Sequence, residues 1–429
     1  MISNPGSSEM VRVSDFGRKI AAQSGISQLM DDLGNALAKS QDVLMLGGGN
    51  PAHIPEVQKH FRKSILRLLK SGKEFERAIG NYDPPQGSKE FIEAMCTLLR
   101  SNLGWDIRPK NIALTNGSQL AFFILFNIFA GAFEGQANKK ILLPLTPEYI
   151  GYCDVGLADD LFLAYKPEIE HVSDHIFKYH VDFDKINVTK EVGAICVSRP
   201  TNPTGNVLTD SEIQKLSELA RSNKIPFIID NAYGTPFPNI IFTEAKPVWD
   251  ENTIVCMSLS KLGLPATRTG IVIASEEVIA MVSQVNAVIS LAPGGLGAAI
   301  TTDLVRSGEI LRLSQNVIKP FYQTRAIEAV EILCQELNGL DFHVHKPEGT
   351  FFLWLWLPGL PITDGELYER LKKRGVLVVP GRYFFPGLKE PWQHKYECIR
   401  INYSQDKDVV TRGLKIIAAE IRQAYDAAQ

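Results

Sequence analysis

Short apolar segments alternate with longer segments of helical periodicity between about residues 110 and 275. Six of the apolar segments have the length and β-branched content of buried strands, and they are Asn111–Thr115, Lys140–Leu145, Val192–Ser198, Ile225–Asp230, Thr253–Leu259 and Gly270–Ala274. Apolar residues recur at helical spacing between residues 209 and 223, with Thr209 or Asp210 as the candidate N-cap. Nearly continuous apolar strands separated by helices predict a largely parallel sheet with helices on both faces.

The pattern changes after about residue 320. A long amphipathic segment, Val317–Leu337, precedes three segments with more alternation and a C-terminal helix. The three segments, which are typical of half-buried antiparallel strands, are Phe351–Leu357, Val376–Val379 and Glu397–Tyr403. We therefore predict an α/β fold with a large domain (61–320), whose mostly parallel sheet lies in α/β/α layers, and a small α+β domain from both termini (1–60 and 321–429).

Composition restricts the classes of function. The 429 residues include 45 Lys and Arg and 48 Asp and Glu, which gives a net charge of −3, and 45% of the residues are hydrophobic. This balance gives no general electrostatic reason to bind nucleic acid or an acidic membrane. The first residues lack the apolar centre of a signal peptide, and the longest apolar stretch, about 14 residues, is too short to span a bilayer. Six scattered cysteines suit a reducing compartment, so we expect a cytoplasmic protein.

Polar residues directly follow the predicted strands. Asn116-Gly117-Ser118-Gln119 opens a helix, where free N–H groups either bind a phosphate or form a simple helix cap. The turn SRPTNPTGNVL holds Asn202 extended before a proline. Asp230 closes an apolar strand, where it is either a helix N-cap or a buried carboxylate that requires a partner.

The segment SLSKLGLPATRTG carries a fourth feature of this kind. Lys261 directly follows an apolar strand, with Ser258 and Ser260 beside it, and Arg268 comes seven residues later. A partly buried lysine can lose its proton and serve as a Schiff-base nucleophile, although most single lysines lie on the surface. Ligands of open α/β sheets bind at the carboxyl ends of the strands. A phosphate cup, an amide, a carboxylate and a lysine at that edge are what pyridoxal 5'-phosphate requires.

The sequence resembles the fold-type I PLP-dependent aminotransferases over nearly its whole length, with SRPTNPTGNVL, IIDNAYG and SLSKLGLPATRTG as signatures. LMLGGGNPAHIP together with SLSKLGLPATRTGIVIA is similar to the subgroup that acts on valine and pyruvate. The resemblance implies a ping-pong reaction in which L-valine and pyruvate give 3-methyl-2-oxobutanoate and L-alanine. Another aminotransferase specificity, or a β-lyase on the same fold, is the alternative, because the same lysine and aspartate would serve it.

The resemblance also implies roles for individual residues. Lys261 would bind the cofactor covalently and later move a proton, and Asp230 would keep the pyridine nitrogen protonated. Tyr233 and Asn202 would hydrogen-bond the phenolic oxygen. Tyr149 would stack on the ring face. The other implied cofactor residues, most of them around the phosphate, are Gly117, Ser118, Gln119, Ser258, Ser260 and Arg268.

Substrate and partner follow from the same resemblance. Arg400 would bind the carboxylate of the amino acid or 2-oxo acid, with Gly49 and Asn202 beside it. Tyr82 would reach the phosphate from a partner subunit, which implies a homodimer with shared active sites. The spacing of seven from Lys261 to Arg268 is one shorter than in many relatives, which puts the shape of that loop in question.

We assign no ligand to two other motifs. PGGLGAA at 293–299 lacks the third glycine of a dinucleotide loop and favours a glycine-lined contact or a dimer turn. His171, His175 and His180 fit no zinc spacing, so we expect a solvated connection there and no metal site.

Overall fold

A computed structural model describes residues 12–21, 34, 43–135 and 137–427. Its strands, numbered along the chain, are β1 (Leu44–Met45), β2 (Ile112–Thr115), β3 (Lys140–Leu143), β4 (Phe162–Ala164), β5 (Glu168–Ser173), β6 (Ile176–His180), β7 (Val192–Ser198), β8 (Phe227–Asp230), β9 (Thr253–Ser258), β10 (Gly270–Ile273), β11 (His343–His345), β12 (Phe352–Trp356), β13 (Val376–Leu377), β14 (Val379–Pro380) and β15 (Cys398–Asn402). The α-helices of these ranges are α1 (Asp15–Ile20), α2 (Pro55–Lys70), α3 (Gly72–Gly80), α4 (Lys89–Leu103), α5 (Ser118–Phe129), α6 (Asp210–Ser222), α7 (Glu276–Ser290), α8 (Leu296–Arg306), α9 (Glu309–Leu313), α10 (Lys319–Glu336), α11 (Asp364–Lys373) and α12 (Lys407–Asp426).

The larger sheet has seven strands in the order β2–β10–β9–β8–β7–β3–β4. All neighbours are parallel except β10, which runs antiparallel to both β2 and β9. The prediction of a mostly parallel sheet is therefore confirmed, and each of the six predicted strands is present within two residues at either end. The seventh strand, β4, has only three residues, too few to give a recognisable pattern.

Both faces of this sheet are covered. On β10, Ile271 and Ile273 belong to one hydrophobic core, and Val272 between them belongs to the other. Side chains of α4 and α8 complete the first core, and side chains of α5, α6 and α7 complete the second. Because successive residues of a strand point to opposite faces, two separate cores require an apolar residue at nearly every strand position.

The second sheet has six strands in the order β14–β15–β12–β11–β6–β5. It includes a hairpin, β5–β6, from the middle of the chain, and β6 pairs parallel with β11. We expected a solvated connection around His171, His175 and His180, and this prediction is wrong, because the segment forms strands β5 and β6. Burial of Phe177 and Tyr179 holds β6 in the sheet. The domain boundaries at residues 60 and 320 stay a prediction, and residues 1–11, 22–33 and 35–42 of the first segment lie outside the described residues.

Helix α6 begins with a capping motif that the local sequence encodes. The hydroxyl of Thr209 accepts the N–H of Glu212 at 3.1 Å, and the Glu212 carboxylate accepts the N–H of Thr209 at 2.7 Å. This reciprocal capping box starts α6 and identifies Thr209 as the N-cap. Within the ranges given above, no helix has the length and apolar character needed to cross a membrane.

Candidate active site

The carboxyl ends of β2, β7, β8 and β9 meet in one cleft. Nine of the residues selected from the sequence line it, and they are Ser118, Gln119, Tyr149, Asn202, Asp230, Tyr233, Ser260, Lys261 and Arg268. Phe122, Ser198, Pro200 and Ala232 complete the lining. Residues that are far apart in the sequence thus converge where an open α/β sheet places its ligand.

Lys261 lies at the end of β9 with its ammonium group half-buried in the cleft. Its Nζ donates to the carbonyl of Gly49 at 2.8 Å and lies 5.4 Å from the ring centre of Tyr233. Burial lowers the pKa of Lys261 to about 8, and the positive charges of Arg400 and Arg268 act in the same direction against Asp230. The amine is therefore close to the neutral form that a nucleophile needs.

Asp230 ends β8 and is 9% exposed. Tyr152 donates its hydroxyl to Oδ2 at 2.7 Å, and the N–H of Ala232 donates to Oδ1 at 3.0 Å. Burial raises the pKa of Asp230 to about 6, and these two hydrogen bonds and Lys261 oppose the rise. The carboxylate thus has donors on both oxygens and a nearby cation, which keeps it charged at neutral pH.

A cup of backbone and guanidinium groups lies at the start of α5. Gly117 is the N-cap residue, with φ 85°, and a Cβ placed there would be 2.2 Å from Nη2 of Arg268. Only glycine allows this approach, because a side chain would displace the guanidinium. Ser118 and Gln119 supply the first N–H groups of the helix, where an anion is favoured.

Arg400 lies in the middle of β15 and is 3% exposed. Its Nη1 donates to Oδ1 of Asn202 at 2.8 Å and its Nη2 to the carbonyl of Gly47 at 2.7 Å. The guanidinium packs on the ring of Phe352, and burial lowers its pKa to about 10. None of the ion pairs among the described residues involves Arg400, and its Nε is buried without an acceptor. A buried cation of this kind favours an anionic ligand.

Three further predicted residues, Ser258, Tyr149 and Tyr82, have other positions relative to the cleft. Ser258 lies behind the cleft, where its Oγ accepts the N–H of Ser260 at 3.0 Å. Tyr149 packs edge-on against Tyr152 with ring centres 5.5 Å apart. Tyr82 is 82% exposed, and no hydrogen bond or ring contact joins it to the cleft among the residues placed in this chain. Its predicted role therefore requires a second subunit.

These groups fit pyridoxal 5'-phosphate. Tyr233 holds its hydroxyl buried with no hydrogen-bond partner in the protein, as expected of a donor to a ligand oxygen. Lys261 and Arg268 in the cleft, with Arg400 adjoining it at Asn202, exceed the negative charge of Asp230, which suits a phosphate together with a carboxylate. Throughout the described part of the chain, no three His, Cys, Asp or Glu side chains form a group that could hold a metal ion.

Sequence reasoning missed three polar residues next to Asp230. Tyr152 donates to Asp230, while Ser198 and Glu148 lie directly behind Tyr152. The motif PEYIGY contains two tyrosines, and nothing in the sequence indicates which of them faces the aspartate. Ser198 ends a predicted strand, which is the one signal that could have placed it at the edge of the sheet.

The sequence is similar to known aminotransferases over nearly its whole length. Residues 41–417 match the family described as aminotransferase class I and II. The chain is 53% identical over 410 residues to the valine–pyruvate aminotransferase of Escherichia coli (strain K12), covering 96% of this chain and 98% of that protein.

Two crystal structures are similar over almost their whole length. The valine–pyruvate aminotransferase of Salmonella typhimurium LT2 superposes with a TM-score of 0.86 at 52% identity, covering 94% of this chain and 99% of that one. A protein from Psychrobacter arcticum 273-4 superposes with a TM-score of 0.94 at 50% identity, covering 97% and 99%.

Proposed function

Because this chain belongs to the class I and II aminotransferase family, we propose that it transfers the amino group between L-valine and pyruvate. The products are 3-methyl-2-oxobutanoate and L-alanine. The family depends on pyridoxal 5'-phosphate in general. The observation that carries the proposal is that Lys261 and Asp230 line one cleft and Arg400 adjoins it through its hydrogen bond to Asn202, each with an environment suited to a different part of the reaction.

The cofactor, when bound, supplies a carbonyl carbon that accepts the amino group and a ring that withdraws electrons. Lys261 attaches it and then moves a proton at Nζ, for which a pKa of about 8 is suitable because proton transfer is efficient near the working pH. Asp230 would pair with the ring nitrogen as a carboxylate. The unpartnered hydroxyl of Tyr233 would donate to the phenolic oxygen, and Tyr149, which lines the same cleft, would cover the ring face.

Arg400 orients the substrate. Its fork already holds Asn202 and Gly47 and retains a buried Nε without an acceptor, so a substrate carboxylate gives the guanidinium the anion that it lacks. Gly49 lies at the same edge, where its carbonyl accepts from Lys261. The carboxylate and the reacting nitrogen of the substrate are thereby held between Arg400 and Lys261, which is the positional contribution of the site.

The cup at the start of α5 would hold the phosphate. Ser118 and Gln119 present N–H groups, Arg268 adds the charge, and the hydroxyl of Ser260 lines the same cleft. Ser258 supports Ser260 from behind. No lining residue apart from Lys261 and Arg268 carries a positive charge, which supports a substrate with a neutral side chain such as valine.

We also propose that the active enzyme is a homodimer in the cytoplasm. Ile79, Val288, Leu291 and Leu296 are exposed apolar residues. The 288–296 segment approaches Tyr82, because a Cβ built on Gly295 would lie 3.0 Å from Oδ2 of Asp83. The 291–296 loop contacts the cofactor end of the cleft, because the N–H of Gly294 donates to Oδ1 of Asn116 at 2.8 Å. A second copy seated on this surface would bring its Tyr82 to the phosphate cup. Six free thiols support a reducing compartment.

The test separates the two halves of the reaction. With L-valine alone, the enzyme loaded with cofactor should convert from the pyridoxal to the pyridoxamine absorbance, and pyruvate should then restore the first spectrum and yield L-alanine. Lys261→Ala should retain cofactor without turnover. A pyridoxal spectrum that persists in valine contradicts the proposal, and release of ammonia without an oxo acid identifies a β-lyase instead.

A further inference from the structure

Glu148 is a buried acid for which the proposed reaction gives no role. It directly precedes Tyr149 and is 2% exposed. Its Oε1 accepts the N–H of Ser198 at 2.8 Å, and its Oε2 lies 2.5 Å from Oγ of Ser198 and 3.3 Å from the N–H of Tyr149. None of these partners carries a positive charge. An ionised carboxylate in this position would lack the counter-ion that buried charges require.

The contacts of Glu148 continue to Asp230. Oγ of Ser198 lies 3.5 Å from the hydroxyl of Tyr152, and that hydroxyl donates to Oδ2 of Asp230 at 2.7 Å. All four side chains are buried, with exposures of 2%, 2%, 0% and 9% along the series. We call the series Glu148–Ser198–Tyr152–Asp230 the donor row. It crosses the ends of β7 and β8 at the wall of the cleft, which Ser198 and Asp230 line.

An unbroken row of hydrogen bonds from Glu148 to Asp230 requires a protonated Glu148, as a count of the hydrogens shows. Each hydroxyl has one hydrogen to donate. When Asp230 is ionised, Tyr152 gives its hydrogen to Asp230, so the Tyr152 oxygen can only accept from Ser198. In an unbroken row Ser198 donates to Tyr152, so it has no hydrogen left for Glu148 and its Oγ accepts one instead. Only a protonated Glu148 supplies that hydrogen.

The opposite arrangement leaves a gap in the row. An ionised Glu148 would take the hydrogen of Ser198, and the oxygens of Ser198 and Tyr152 would then face each other at 3.5 Å with no hydrogen between them. It would also add a second negative charge beside Asp230. Burial raises the pKa of Glu148 to about 8, and the negative charge of Asp230 adds to the rise against the bonds from Ser198 and Tyr149. The neighbouring Cys196 stays neutral, since burial raises its pKa well above its ordinary value.

We propose that Glu148 is a positioning residue that holds a proton and, through Ser198 and Tyr152, directs an unbroken series of O–H donors onto Asp230. The inference deepens the proposed function and rests on it, because Asp230 is there the partner of the cofactor nitrogen. The donor row keeps Asp230 ionised in a site whose burial would otherwise protonate it. It does so without adding a negative charge.

The first test does not depend on the reaction. Infrared spectra of the protein without cofactor, at pH 7, should contain the C=O stretch of a protonated carboxyl group that is missing from Glu148→Gln. The band should disappear as the pH rises past about 8. A wild-type spectrum without this band, or a band that Glu148→Gln leaves in place, overturns the proposal whatever the enzyme catalyses.

The second test uses the enzyme loaded with cofactor. Glu148→Gln retains an N–H donor towards Ser198 and should change kcat by less than about threefold, whereas Glu148→Ala and Ser198→Ala should each lower it about tenfold. The double variant Glu148→Ala/Ser198→Ala should lose no more kcat than either single alanine variant. The pH midpoint of the cofactor absorbance should shift in both single alanine variants but not in Glu148→Gln.

Two outcomes of the second test contradict the donor row. Additive losses in the double variant mean that Glu148 and Ser198 act separately. A shifted absorbance midpoint in Glu148→Gln means that the negative charge of Glu148, and not its hydrogen, matters. If Glu148→Ala fails to fold, the infrared comparison and Ser198→Ala still decide between these interpretations.

Discussion

Burial shifts the pKa values of four side chains in and next to the cleft towards pH 7. Those of Asp230 and Glu148 rise to about 6 and 8, and those of Lys261 and Arg400 fall to about 8 and 10. The common cause is that a medium of low dielectric constant disfavours every charged form. An anionic ligand removes part of this cost for Lys261 and Arg400, so binding an anion at these two cations is favourable.

Arg400 gives the clearest prediction for a single residue. Arg400→Lys should lower kcat/KM for valine and for pyruvate by about 100-fold, because a lysine replaces a bidentate fork by a point charge and each charge-assisted hydrogen bond is worth about 1.5–3 kcal/mol. Steady-state kinetics with both substrates measures the change.

The matched control is Arg221→Lys, on the exposed side of α6 and paired with Asp250. It should leave both constants unchanged. An Arg400→Lys enzyme with an unaltered kcat/KM would remove Arg400 from the substrate site.

At the scale of elements, the β5–β6 hairpin joins the second sheet to the loop that carries Asn202. Lys178 on β6 forms a buried ion pair with Glu348 and also donates to Oδ1 of Asn206 and the carbonyl of Val207, both at 3.0 Å. The two charged side chains are 7% and 5% exposed. The hairpin is therefore fixed to the 199–208 loop by the two hydrogen bonds of Lys178, in addition to its strand pairing with β11 in the second sheet.

The contribution of the Lys178–Glu348 ion pair can be tested by removing one partner and then both partners. Lys178→Met should destabilise the protein by about 3–5 kcal/mol, because it leaves Glu348 buried without its main partner, and the double variant Lys178→Met/Glu348→Leu should recover much of the loss. Urea unfolding followed by tryptophan fluorescence measures both. Lys389→Met, at a lysine that is 68% exposed, is the control and should change stability by less than about 1 kcal/mol. Equal effects at Lys178 and Lys389 would show that the buried pair contributes nothing.

At the scale of the whole molecule, the proposed homodimer predicts complementation. Tyr82→Ala and Lys261→Ala should each be impaired alone. In a mixed dimer, one site combines an intact Lys261 with Tyr82 of the partner subunit. Random pairing makes half of the dimers mixed, each with one complete site, so the activity should reach about a quarter of the wild-type value. To test this, the two variants are unfolded, mixed in equal amounts and refolded together, and the activity is measured per total subunit. Activity that stays at the sum of the two parents contradicts a shared site.

The sequence was sufficient for the main strands and for the residues attached to them. An apolar run ended by turn residues is a local signal, so all six strands of the large sheet that we predicted are present. Lys261, Asp230 and Arg268 were found because each directly follows such a run or its loop. The same rule failed for β4, which is too short, and for β5, whose residues are mostly exposed and have no apolar pattern.

The sequence by itself determined the strand pattern, the parallel sheet and the chemistry expected at its edge, because each depends on neighbours along the chain. Only the tertiary structure decided which polar groups share a hydrogen. Glu148 and Ser198 are 50 residues apart, and Tyr152 and Asp230 are 78 residues apart. Their contacts exist because β7 lies between β3 and β8 in the sheet. A hydrogen bond acts over about 3 Å, and no local pattern along the chain specifies that proximity.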